Sequence, residues 1–203
     1  MTPRGDAEAA GQTPLDPDES KGLLLRINTQ EALNRAEEEN ILRARTWAAR
    51  SRLVHRNLLS DSTLRRIHKE MFGGVWRWAG LYRLTNKNIG SPWEQIPSLV
   101  RQVCENFALR ASHVGDDRDR LCVEFHYQIV NIHPFVNGNG RHSRFCADRL
   151  IENLGGRPFQ WGRGDLRGEG AARQSYLAAL EAADAGNAEP LLRFARSGRE
   201  REI

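Results

Sequence analysis

The chain has 203 residues, 39% hydrophobic and 28% charged, with a formal net charge of +4. That balance is ordinary for a soluble globular protein, and no stretch approaches the ~18 apolar residues a membrane span needs. Three widely spaced cysteines, Cys104, Cys122 and Cys146, exclude a disulfide scaffold and fit a reducing, cytoplasmic setting.

Charge is uneven along the chain. Residues 1–20 set Arg4 against Asp6, Glu8, Asp16, Asp18 and Glu19, and contain almost no large apolar residue. They read as a mobile acidic tail, drawn here over 1–22, and lack the apolar run of a secretory signal. The remainder is basic, but its cations are scattered and only three are lysine, so no block resembles a nucleic-acid arm. One folded domain is expected over 23–198, with a short tail at 199–203.

The first predicted helix covers 30–50. Asn28 can cap it, with Glu31 three residues on, and Leu33, Ile41, Leu42 and Trp47 supply an apolar side. A second follows Ser60 through Leu64, Ile67 and Met71 and ends at Gly73-Gly74. Residues 75–97 change character, with aromatic and β-branched residues around Asn86-Lys87-Asn88-Ile89-Gly90, and predict a short hairpin or flap. Trp76, Trp78 and Trp93 would anchor its base. Helical spacing returns over 96–112 and 117–131, then over 140–154 after a loop at 133–139, and again over 170–185 and 188–197. The fold class is all-α: a helical bundle with one short β-hairpin flap.

The loop before the 140–154 helix carries the chemistry. It reads His133-Pro134-Phe135-Val136-Asn137-Gly138-Asn139-Gly140-Arg141-His142-Ser143-Arg144. Pro134 stops the preceding helix. Gly138 and Gly140 permit a tight turn whose successive N–H groups, opening a helix, form an anion-binding nest. Arg141 and Arg144, three apart, share a helix face and can add bidentate phosphate contacts. A histidine just before such a nest is placed to act as a general base. Taken singly, Gly-Asn-Gly is also an ordinary turn and His133 also a structural histidine; it is the combination that answers nucleotidyl transfer. His126, two turns before His133, reads as a core residue and His142 as surface or packing. The cysteines read as small core residues.

The segment resembles the Fic signature HPFx(D/E)GNGRxxR at every fixed position but one, and the likeness extends over about 23–197, including Trp78-Ala79-Gly80 and Tyr82-Arg83. It looks closest to the small Fic proteins called mobile mystery protein B. The resemblance implies the Fic-fold bundle and transfer of AMP from ATP, with Mg²⁺, to a Ser, Thr or Tyr hydroxyl of an unidentified protein, self-modification included. It implies His133 as base, Gly138, Asn139 and Gly140 as phosphate cradle, Arg141 on the phosphate chain and Arg144 on the γ-phosphate. The flap residues Lys87, Asn88 and Ile89 would register the target by main-chain pairing. Arg173 and Tyr176 lie near where the family often builds its adenosine pocket, although a buried core tyrosine is the plainer reading of Tyr176. Family members often dimerise.

The departing position is Asn137, where the family carries an Asp or Glu that ligates Mg²⁺. A neutral amide oxygen makes a weaker ligand for that hard cation. This leaves room for another nucleotide or phosphate donor, or for a weakly active or non-catalytic nucleotide-binding module. The resemblance also implies a brake. Inhibitory helices of the family read (S/T)xxxE(G/N), their Glu pairing with the second signature arginine. Glu39-Asn40 matches the end of that pattern, with Arg35 at the Ser/Thr position and Glu37 and Glu38 beside it. The bland alternative is a solvated acidic face.

Overall fold

The computed structural model describes residues 15–113, 115, 117–163, 166 and 170–198. These form two compact units, one of Leu15–Pro158 and one beginning at Phe159. Residues 1–14 and 199–203 lie outside the described residues.

In the first unit the helices are α1 (Pro17–Ser20), α2 (Gln30–Arg50), α3 (Arg52–Asn57), α4 (Asp61–Phe72), α5 (Ile96–Ala111), α6 (Arg118–Ile132) and α7 (Asn139–Asn153). The second unit holds α8 (Ala171–Asp184) and α9 (Glu189–Arg196), packed on each other. Among the described residues no helix is long and apolar enough to cross a membrane.

Local chemistry sets the helix starts. The Thr29 hydroxyl, rather than the expected Asn28, accepts the Ala32 N–H at 3.2 Å to cap α2. Ser60 caps α4 by accepting the Thr63 N–H at 3.3 Å. In each case a side-chain oxygen satisfies an N–H that the first turn leaves without an intrahelical partner. The core lies where α6 packs on α5 and α7, and α4 on α2. Ile67, Phe72, Phe107, Phe125, Ile129 and Ile151 are all fully buried there. Each such side chain stabilises the fold by roughly 1.5–3 kcal/mol.

The buried face of α2 is Glu37, Asn40, Ala44 and Ala48, a clean helical repeat, whereas Leu42 is 66% exposed. Of the apolar side read from Leu33, Ile41, Leu42 and Trp47, only Leu42 faces away; the other three are half-buried at the edge of this face. The small residues Ala44 and Ala48 take the most buried positions, where α2 packs on α4.

Two further expectations change. The segment over 81–92 contains no strand among the described residues; a single isolated bridge joins Tyr82 to Phe135. Its backbone groups bond instead to the 132–134 segment and to the Arg83 guanidinium. Nor is the acidic segment a free tail as far as residue 22. From Asp16 onward it is tied down: Gly22 accepts the Arg77 N–H at 2.8 Å, Leu24 donates to the Val75 carbonyl at 2.8 Å, and Glu19 accepts from the Trp78 indole at 3.2 Å.

Candidate active site

The site forms where α6 ends and α7 begins. Pro134 forces α6 to stop, and His133 takes the left-handed conformation at its C-terminus (φ 54°, ψ 59°). The side chain of Asn139 then closes the loop on itself. Its oxygen accepts the Phe135 N–H at 2.9 Å and its amide donates to the Phe135 carbonyl at 2.8 Å. Asn139 can therefore offer a phosphate its backbone N–H, but its amide is already engaged. Gly138, at φ 78°, opens α7, and a Cβ there would lie 2.6 Å from the Phe72 ring. The first N–H groups of α7 have no intrahelical acceptor, so they present a partial positive charge beside His133.

Beneath the loop lies a buried histidine that the sequence did not flag. Gly80 donates its N–H to His68 Nδ1 at 3.0 Å, so Nε2 carries the proton and donates to the Asn137 carbonyl at 3.0 Å. The His68 ring stacks on Phe135 at 3.7 Å. Burial first, then the neighbouring His142, hold His68 well below the ordinary imidazole range. His142 is a buried packing residue bonded to the Leu64 carbonyl at 2.9 Å, and His126 is likewise buried in the core.

His133 is 7% exposed. Burial above all, then the Arg83 guanidinium, push its imidazole down to about 4; a bond to the Val130 carbonyl opposes them, and the Lys87 ammonium adds the least to the lowering. It is therefore neutral at physiological pH, and a neutral imidazole carries one ring nitrogen as an acceptor.

The two signature arginines are placed differently from each other. Arg141 lies over the Phe72 ring at 4.8 Å and pairs with Glu37, Nη1 to Oε2 at 2.5 Å. The other oxygen of Glu37 accepts the Trp76 indole N–H at 2.7 Å. Arg144 lies half-buried one turn on, its guanidinium near the position a Cβ on Gly140 would take. The carboxylate paired with Arg141, the first of the two, is thus Glu37, not Glu39. Successive helical residues are rotated by about 100°, so Glu37 and Glu39 cannot share a face. Glu39 is exposed, and Asn40 is buried beside Gly74 with its oxygen accepting from Arg43 at 2.8 Å. The helical spacing of Glu37 with Ala44 and Ala48 was the signal that could have found it.

In the flap, Asn88 and Ile89 are exposed, whereas the Lys87 side chain is 4% exposed, held between Asp16 at 2.9 Å and Glu19 at 2.6 Å. Arg173 and Tyr176 belong to the second unit. There Arg173 donates to the Leu166 carbonyl at 2.8 Å and Tyr176 packs on Phe194.

The sequence model described as the Fic/DOC family matches residues 58–151, which include the whole loop and both arginines. This segment belongs to the Fic/DOC family. Protein adenylyltransferase VbhT of Bartonella schoenbuchensis is 31% identical over 99 residues, 45% of this chain and 21% of its own length. Protein adenylyltransferase Fic of Drosophila virilis is 36% identical over 69 residues, 34% of this chain and 13% of its own. The chain thus spans about a fifth or less of the curated relatives it matches. The crystal structure of BepC of Bartonella tribocorum with bound AMPPNP superposes with a TM-score of 0.64 at 17% identity, covering 86% of this chain and 90% of that one. The all-helical fold is the Fic fold.

Fic proteins of the usual pattern carry a carboxylate where this chain has Asn137. The Asn137 oxygen accepts the Gly138 N–H at 2.5 Å and so faces its own loop. No group of three or more His, Cys, Asp or Glu among the described residues could hold a metal. A single, neutral, already engaged amide does not fit a resident Mg²⁺, which takes charged oxygens in octahedral array.

Proposed function

We propose that this chain transfers AMP from ATP to a hydroxyl group of a protein. The observation that carries the reading is the placement of His133, a buried neutral imidazole at the C-terminus of α6, directly before the turn that opens α7. In the transfer His133 takes the proton of the target hydroxyl. The hydroxyl oxygen forms a bond to the α-phosphorus as the bond from that phosphorus to the bridging oxygen breaks, and pyrophosphate leaves. The N–H groups of the first turn of α7, with Arg141 and Arg144, stabilise the charge on the phosphate chain. Chemistry of this kind is mostly positioning and electrostatics.

An imidazole near 4 is a weak base, but the bound polyphosphate supplies the correction. A nearby anion favours the protonated imidazole and raises its affinity for the hydroxyl proton as substrate arrives. The AMPPNP held by BepC and the adenylyltransferase names of VbhT and the Drosophila protein support an adenine nucleotide as donor. The exposed Asn88 and Ile89 support the flap as the edge where a target strand registers.

Glu37 acts as the brake in this reading. Its carboxylate occupies the Arg141 fork that a phosphate would otherwise take, so nucleotide seating requires that pair to open.

The test is label transfer from α-³²P-ATP, supplied with Mg²⁺, to the chain itself and to a host lysate. Glu37→Gly is expected to raise incorporation above wild type, Glu39→Gly to leave it unchanged, and His133→Ala in the Glu37→Gly background to abolish it. Unlabelled GTP, CTP and UTP as competitors report the donor. The engagement of Asn137 by Gly138 favours a second reading, a nucleotide-binding module with little turnover. ATP binding with no label in any variant would decide for it.

A further inference from the structure

Arg83 is 1% exposed, and none of its guanidinium bonds is to a carboxylate. Burying a cation is costly unless its donors are satisfied. Here four donations go to backbone carbonyls on two separate segments. Nε donates to His133 at 2.7 Å and Nη1 to Thr85 at 2.7 Å. Nη2 donates to Ser91 and, at 3.4 Å, to Ile132. Thr85 and Ser91 lie on the two limbs of the flap, and Ile132 and His133 end α6.

The surrounding backbone points the same way. The Arg83 N–H donates to the Pro134 carbonyl at 3.0 Å and the Ser91 N–H to the Ile132 carbonyl at 3.1 Å, so the flap limbs embrace His133 from both sides. Gly90 lies so close that a Cβ on it would come within 2.5 Å of the His133 Cβ. A helix C-terminus carries partial negative charge, which the Arg83 cation complements. The left-handed backbone of His133 is strained for a residue with a side chain, and the Arg83–His133 bond offsets that strain.

We propose that Arg83 is the positioning residue of this site: one buried side chain fixes both limbs of the flap and the left-handed backbone of His133 in a single register, aligning the base with the docking edge. The proposal rests on the reading of His133 as the base. Arg83 does not touch substrate and acts through His133 and the flap. Its charge, with that of Lys87, also holds the imidazole neutral.

The test compares Arg83→Lys, which keeps the charge but loses the fork, with Arg83→Gln, which loses both. Folding is checked by circular dichroism and thermal melting. Amide exchange at Ser91 is expected to quicken at least ~10-fold in both variants, because a charge-assisted anchor is gone. NMR titration of His133 is expected to move upward in Arg83→Gln and to stay near wild type in Arg83→Lys. Self-labelling in the Glu37→Gly background should fall on the order of 100-fold in kcat in Arg83→Lys, the scale of a misplaced base, with the KM for ATP nearly unchanged.

Folded variants with wild-type Ser91 exchange and wild-type His133 titration would overturn the proposal. If Arg83→Gln does not fold, unchanged Ser91 exchange in Arg83→Lys overturns it alone. If no protein labels at all while exchange and titration shift as stated, the AMP-transfer reading fails and the positioning of His133 by Arg83 stands.

Discussion

Glu37 and Arg141 stand 104 positions apart in the chain and meet at 2.5 Å, joining α2 to the first turn of α7. The Glu37 carboxylate is buried and fully used, one oxygen on Arg141 and the other on the Trp76 indole. Its removal leaves a buried indole N–H and a partly buried guanidinium without their acceptor.

Glu37→Ala is therefore expected to lower folding stability by about 1–3 kcal/mol, the cost of stranding buried donors. Glu39→Ala should change stability by less than about 0.5 kcal/mol, as exposed positions do. Urea midpoints measure both. Nucleotide affinity, read by calorimetry with ATP, should rise in Glu37→Ala despite the lost stability. Equal stability losses at 37 and 39 would contradict the buried pair.

The buried histidines make stability fall in acid. His133 and His142 are held down to about 4, and His68 and His126 well below the ordinary 6.5, in every case chiefly by burial. Between 6.5 and 4 the unfolded chain binds more protons than the folded one, so stability rises with pH through that window and is lost on acidification. The shifts of His133 and His142 correspond to losses on the order of 3 kcal/mol each below pH 4. The urea midpoint should drop steadily from pH 7 to pH 5 and hold nearly level from pH 7 to pH 8. His142→Asn should flatten the acid slope while leaving most of the loss in place.

Much of this was legible in the sequence because it is local. Periodicity placed α2, α4, α5, α6, α7, α8 and α9, and the Pro134 and glycine chemistry placed the turn between α6 and α7. What was missed depends on tertiary partners. α3 is six residues, too short to show a period, and α1 exists because Lys87, Trp78 and Val75 hold the segment around it. The flap looked like a hairpin because its residues suit strands, but Arg83 and residues 132–134 take its hydrogen bonds. Arg83 and His68 have no spacing signal at all, since their partners are distant backbone carbonyls. Glu37 had one, in its repeat with Ala44 and Ala48, which the match of Glu39-Asn40 to the inhibitory-helix pattern obscured.

Gly138 and Gly155 both have positive φ, 78° and 77°, but differ in what a methyl group would meet. At Gly138 it would lie 2.6 Å from Phe72, and at Gly155 it would meet Arg118 at an ordinary 3.6 Å. Gly155→Ala should cost about 1 kcal/mol for the backbone alone. Gly138→Ala should cost about 2–4 kcal/mol, because overpacking against Phe72 adds to it. Gly138→Ala should also weaken ATP binding by displacing the start of α7, whereas Gly155→Ala should not. Urea unfolding and calorimetry separate the two effects.

Lys87 holds the acidic segment to the flap. Its ammonium is nearly enclosed by Asp16 and Glu19; burial is the largest single influence and would lower its pKa, but the bonds and charges of Glu19 and Asp16 together outweigh it and raise it. α1 buries no residue of its own, so this clamp and a few backbone bonds are what hold it. Asp16→Asn combined with Glu19→Gln should leave a shielded cation without its counter-charges and release the segment. Trypsin cleavage after the exposed Lys21 should then quicken on the order of 10-fold, because cleavage follows local opening, and tryptophan emission should shift to the red as Trp78 loses its cover. Lys87→Met should release the segment as well, with less loss of overall stability, since no buried charge is stranded at position 87. Cleavage at the wild-type rate in both variants would mean that the backbone bonds at Gly22 and Leu24 hold the segment without the clamp.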